Sequence, residues 1–185
     1  MMRKFILVLA ILVLAGLVYL SFTGNLQGLA NWFNPPQAAM VDDSQCGYQW
    51  ATQPLPDVTA ELQQRLERQN ILAAEVNAAA YGENCVLADG TIARFLTKQT
   101  DLYFKVPIAD MEDTQNLGEL TEGIILFVED IPPDQLVGPN EGYIQINFSS
   151  AFGQMASLWF QASTGRAALE EGLRGAELYN RLLNR

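Results

Sequence analysis

The chain has 185 residues, of which 21 are acidic, 11 basic and none histidine, giving a formal net charge of −10. Nucleic acid is excluded as a partner, because binding it needs basic charge to replace phosphate counterions. Nucleophilic triads of the common type need an imidazole base, and the G-x-S-x-G, P-loop and G-x-G-x-x-G patterns are absent from the sequence.

The first element is apolar. Met1-Met2-Arg3-Lys4 precedes an unbroken hydrophobic run from Phe5 to Leu20 that fades by Phe22. Two basic residues ahead of such a run make either a cleaved signal peptide or a retained signal anchor. The end of the run, Tyr19-Leu20-Ser21-Phe22-Thr23-Gly24, has no small-x-small cleavage pair, so a retained anchor over residues 1–23 is expected. A helix of roughly 18 residues spans ~27 Å, enough for a bilayer core. Arg3 and Lys4 are the only basic residues before Arg65, which places the N-terminus in the cytoplasm and the remainder outside it, on a cell-surface or periplasmic side. Residues 24–45, with Asn34-Pro35-Pro36-Gln37, read as a linker. Residues 46–185 are then one extracytoplasmic domain, large enough for a single core.

Cys46 and Cys85 are the only cysteines. They lack C-x-x-C spacing and have no histidine to join them at a metal, so a structural disulfide is expected rather than a redox or metal pair. An oxidising compartment agrees with that.

Within the domain, Tyr48-Gln49-Trp50-Ala51 reads as a short strand, broken by Pro54 and Pro56. Asp57 is the expected cap of a helix whose stripe is Val58, Leu62 and Leu66, with Glu61 four residues before Arg65, and which stops near Gln69-Asn70. Ile71 to Tyr81 is ambiguous. Its alanines favour helix, while its alternation, with Ala74, Val76, Ala78 and Ala80 inward, favours the strand expected here. A turn at Asp89-Gly90 leads to a long strand, Thr91 to Ile108, interrupted near Lys98 to Thr100. Asp110 or Asp113 caps a second helix with Leu117, Leu120, Ile124, Ile125 and Val128 on its stripe, ended by Pro132-Pro133. Gly142–Ser149 and Met155–Ala162 form a hairpin about Gly153. Thr164 is expected to cap one final helix to about Leu183, along which Ala168, Gly172 and Ala176 recur every four residues.

The expected fold class is α+β, a two-layer sandwich whose antiparallel sheet of about five strands has helices on one face. The first six elements resemble the split β-α-β motif, so the domain is expected to be a ferredoxin-like core plus an extra hairpin and a C-terminal helix. That resemblance is one of fold and implies no function.

Excluding Arg3 and Lys4, 9 basic residues face 21 acidic ones, and none of the basic ones lies between Lys105 and Arg166. The acidity reads as a solvated surface that keeps the domain soluble, with a basic partner or loosely bound cations as the alternative. Asp110-Met111-Glu112-Asp113 lacks the glycine and distal glutamate of an EF-hand loop and reads as a helix N-terminus. Lys98 and Lys105 have no serine in a nucleophile-like context. No catalytic residue, metal site or cofactor is therefore assigned. If the helices cover one sheet face, the other presents Tyr103, Lys105, Tyr143, Gln145, Asn147, Trp159 and Gln161, joined by Tyr48 or Trp50. Aromatic bodies among amides suit a recognition surface for a protein or a carbohydrate. Their alternative role is ordinary cross-strand packing. The expected function is that of a membrane-anchored extracytoplasmic binding or interaction domain. Its alternatives are a small structural subunit or assembly factor of an envelope complex, or a carboxylate-based hydrolase.

Overall fold

The computed structural model describes residues 43–69 and 75–184. The expected anchor, the linker as far as residue 42, and residues 71–74 of the expected second strand lie outside them. Among the described residues no helix is long and apolar enough to cross a membrane. Asp43–Gln45, the end of the expected linker, form one 3-10 turn. The elements that follow are β1 (Gly47–Pro54), α1 (Pro56–Arg68), β2 (Glu75–Val86), β3 (Ile92–Ile108), α2 (Thr114–Glu129), β4 (Tyr143–Ser150), β5 (Met155–Gln161), α3 (Ala162–Glu170) and α4 (Gly175–Leu183).

These elements make an α+β domain around one five-stranded sheet, ordered β1-β2-β3-β4-β5. The sheet is mixed. β1/β2, β2/β3 and β4/β5 are antiparallel, but β3 and β4 run parallel, joined by the crossover that contains α2. This corrects both the wholly antiparallel sheet and the ferredoxin-like order. A split β-α-β places another strand between the two that a helix connects, whereas here each helical connection joins direct neighbours. Alternation does not reveal the difference, because a strand with one covered face reads the same whichever way its neighbour runs.

The second strand settles as a strand: Val76, Ala78 and Ala80 are buried, while Glu75 and Asn77 are exposed. At its start two side chains of α1 extend the ladder beyond the end of β1. The Ala78 amide donates to Thr59 Oγ1 at 2.9 Å and the Val76 amide to Gln63 Oε1 at 3.0 Å. The interruption expected near Lys98 is a bulge inside a continuous strand. Tyr81 pairs with Gln99 and Gly82 with Thr97, leaving Lys98 unmatched, and Ala93 is unmatched in the same way. Bulges of this kind increase local twist.

Three helix details differ from expectation. Leu55 is the N-cap of α1 and Pro56 opens it, so Asp57 lies in the first turn without capping. Proline is preset for that first position. Arg65 pairs with Asp130 at 2.6 Å rather than with Glu61, which accepts a bond from Gln135 instead. The C-terminal helix is two helices, α3 and α4, and α3 starts at Ala162 with no side-chain cap from Thr164. The break is a Schellman motif. Gly172, at φ +84°, donates to Leu169 O at 3.0 Å, and Leu173 donates to Ala168 O at 3.1 Å. For α2 the expected cap holds, since Asp113 Oδ1 accepts from the Asn116 amide at 3.0 Å.

One core joins the layers. Leu102, Phe104 and Val106 of β3, Ile144, Ile146 and Phe148 of β4, and Leu158 and Phe160 of β5 meet α1 through Leu62 and Leu66. The same cluster takes in Leu117, Ile124 and Phe127 of α2 and Leu178 and Leu182 of α4. Phe104 meets Phe127 edge-on at 6.1 Å between ring centroids. All the helices thus contribute to one side of the sheet.

The Cys46–Cys85 disulfide is present. Cys85 is fully buried in β2 opposite Tyr48, so the bridge fastens the edge strand β1 near its first residue.

Candidate functional site

Sheet register decides which side chains share the face away from the helices. Directly paired residues point the same way, and each strand returns to a face every second residue. Asn77, Tyr103, Gln145 and Trp159 therefore form one row across four strands, and Glu75, Lys105, Asn147 and Ser157 form the next. Tyr143 pairs with Gln161 one step in the other direction. All seven side chains expected on this face are neighbours on it.

Trp159 is 68% exposed and Tyr143 38% exposed, and their rings meet edge-on at 5.6 Å. Gln145 Nε2 donates to Asn147 Oδ1 at 3.1 Å, and Ser157 Oγ donates to the same oxygen at 2.6 Å. That leaves the Asn147 amide nitrogen as an outward donor. Lys105 lies 3.5 Å from Glu75 with both side chains mostly in solvent, a pair worth little. Tyr103 is half-buried, and burial, with a smaller contribution from the Asp101 charge, raises its phenol above the usual tyrosine range. It stays neutral and serves as donor and acceptor.

Two features went beyond the sequence reading. Trp50 lies diagonally across from Tyr81 and stacks on it, with centroids 5.3 Å apart and planes 4° apart. This second aromatic pair occupies the same face at the opposite side of the sheet. Tyr81 was legible only as an outward residue. Asp101, alternating outward in the sequence, is 7% exposed. Its Oδ1 accepts from the Tyr143 amide at 2.9 Å and from Gln99 Nε2 at 2.8 Å, so a buried carboxylate sets where β4 starts beside β3. An aspartate one step from the apolar residues of a strand is the only sequence signal for it.

Beside Tyr143, a cavity of about 360 Å³ opens between the end of α2, the 131–142 connection and the starts of β4 and α3. Arg166 lines it, 3.0 Å from Glu129 and hydrogen-bonded to Glu141. Two carboxylates already engage the guanidinium and offset its charge. The bond from Arg166 holds the Glu141 carboxyl below its ordinary range, against an opposing effect of burial. Because the folded value lies below the unfolded one, the resulting stability is present above the unfolded value, about pH 4.3. It is lost as pH falls through the folded value. Glu141→Gln is expected to remove this part of the acid dependence, at a cost near neutrality of no more than about 1 kcal/mol for a half-exposed pair. Thermal unfolding followed from neutral to acid pH checks it, and superimposable acid limbs for the two proteins would count against it.

Among the described residues no group of three or more His, Cys, Asp or Glu side chains is placed to hold a metal ion. The carboxyls of Asp89, Asp130 and Glu141 are all shifted downward, by hydrogen bonds from Thr91, Arg65 and Arg166 respectively. A general acid needs the opposite shift. Comparison with known proteins finds no matching family model, no matching curated sequence and no matching solved structure.

Proposed function

We propose that this protein is a membrane-anchored domain, held outside the cytoplasm, that binds a protein or carbohydrate partner through the open face of its sheet. One observation carries the binding half of this reading. Tyr103, Gln145 and Trp159 form one row of this face, with Tyr143 and Gln161 in the row on one side and Asn147 in the row on the other. Rigid strands position these side chains, and Tyr and Trp supply contact area at low entropic cost. The basic residues ahead of the Phe5–Leu20 run support the anchor. The disulfide agrees with an oxidising compartment.

The test is affinity capture of tagged full-length protein from its native membrane, with Tyr143→Ala/Trp159→Ala in parallel. A panel of oligosaccharides is titrated against tryptophan fluorescence alongside. The expected result is a stoichiometric partner, or a saturable fluorescence change, that is lost in the double variant with the fold intact. A partner kept by both proteins would remove the sheet face from the function and leave the anchor or the acidic helices.

A further inference from the structure

We infer that β5 pairs antiparallel with β5 of a second copy of this chain, about a two-fold axis at Leu158, joining the two sheets into one. β5 is an edge strand, and its inward bonds fix which backbone groups are left over. The Ser150 amide donates to Gln154 O and the Ala162 amide to Gly142 O, each at 3.0 Å. Bonded and non-bonded pairs alternate along an antiparallel ladder. Ala156, Leu158 and Phe160 therefore direct their N–H and C=O groups to β4, and Met155, Ser157, Trp159 and Gln161 direct theirs outward. Among the described residues no other element bonds to these outward groups.

Sheet edges are normally blunted by charge, proline or a bulge. β5 has none of these between Met155 and Gln161. The other edge, β1, ends in Pro54, which has no N–H to offer. Charge selects the occupant. From Gly142 to Gly165 there is no charged residue, in a chain with a formal net charge of −10. Two copies meet at β5 without bringing like charges together, and the same stretch offers a basic peptide no carboxylate to recognise. Among the described residues, the three large hydrophobic side chains with the highest fractional exposure also lie in this hairpin: Phe152 at 88%, Met155 at 74% and Trp159 at 68%. Apolar groups clustered in this way mark contact surfaces.

An axis at Leu158 sets Met155 opposite Gln161 and Ser157 opposite Trp159 of the second copy, so every outward backbone group finds a partner. The two Trp159 residues become diagonal neighbours, about 7–8 Å apart and within reach of each other's rings. The inference rests on the backbone edge of β5; of the side chains proposed to bind a partner only Trp159 also supports it, and the two readings are tested by separate readouts.

The test is sedimentation of full-length protein in neutral detergent over a wide concentration range. A dimer is expected, with Ser157→Pro and Met155→Glu each raising its dissociation constant about tenfold or more. The proline removes an outward N–H and the Ser157 hydroxyl's bond to Asn147 Oδ1 but leaves the β4–β5 backbone ladder whole, and Met155→Glu, which keeps that bond, serves if the proline variant fails to fold. Thr52→Pro at the β1 edge should leave the dimer unchanged. Mixing Ser157→Cys with Trp159→Cys should give a disulfide-linked dimer that neither forms alone. Residues directly opposite are about 5.5 Å apart at Cα, inside disulfide range, and diagonal ones are not. A monomer at every concentration, a dimer that survives the β5 variants, or one abolished by Thr52→Pro would each overturn the inference. Partner capture by the Tyr143→Ala/Trp159→Ala variant remains a separate readout.

Discussion

Cys46→Ser combined with Cys85→Ala is expected to lower unfolding stability by about 4 kcal/mol, the chain-entropy value for a closed loop of roughly 40 residues. The bridge spans a sequence separation of 39. Alanine is the choice at position 85 because that site is fully buried, and a serine hydroxyl there would add an unrelated cost. The loss should centre on β1, which has almost no other cover: of its residues only Ala51 is even partly buried. Apart from its ladder to β2, the Trp50–Tyr81 stack is its main side-chain attachment. Urea unfolding of the two proteins gives the number directly. A difference below about 1 kcal/mol, or a change in slope without one, would mean that the bridge constrains a denatured chain already compact near β1.

Two glycines of α2 make the second large effect a matched pair. A Cβ added at Gly118 would lie 1.8 Å from the carbonyl oxygen of Gly175 and 2.1 Å from its carbonyl carbon, while one added at Gly123 meets nothing within 4 Å. Both residues sit inside a helix, where alanine is favoured over glycine by about 1 kcal/mol. At Gly123 that gain is unopposed, so Gly123→Ala should raise stability by about 0.5–1 kcal/mol. At Gly118 backbone meets backbone and no side chain can give way. Overpacking typically costs about 1–3 kcal/mol and occasionally more, and Gly118→Ala should fall at or beyond the upper end because α4 has to move off α2. Thermal unfolding of the two variants should therefore shift in opposite directions. A stabilised Gly118→Ala would show that the two helices do not approach as closely as described.

Wherever one face of an element is covered and the other is wet, the covered face could be read from the sequence. Ile144, Ile146 and Phe148 of β4, and Leu117, Ile124 and Ile125 of α2, are all buried as the periodicity requires. The same alternation placed Tyr103, Gln145 and Trp159 on one face before any register was known. What it does not encode is pairing direction, so the parallel β3/β4 pair was missed. The break between α3 and α4 was missed for another reason. Ala168, Gly172 and Ala176 fit a continuous helical stripe, and the same Gly172 that completes the stripe also ends the helix through its left-handed conformation. The close backbone approach between helices lies outside that stripe, at Gly118 of α2 and Gly175 of α4. The burial of Asp101 is not legible in the sequence, because alternation gives the direction of a side chain and not what lies over it.

Because strand order follows chain order, the fold has a consequence for how it assembles. Each strand needs only its predecessor as a template, so a chain appearing N-terminus first can add β1 to β5 to the growing edge as they emerge. Two of the four pairings, β2 with β3 and β4 with β5, close over short stretches of sequence, which favours rapid formation. The other two close across a helix: β1 with β2 across α1, over 25 to 39 residues, and β3 with β4 across the longer α2 crossover, over 42 residues. The latter step divides assembly into an early ribbon already fastened by Cys46–Cys85 and a late half that completes the core. α4 comes last, and its packing against α2 at Gly118 seals an interior that until then lies open to solvent.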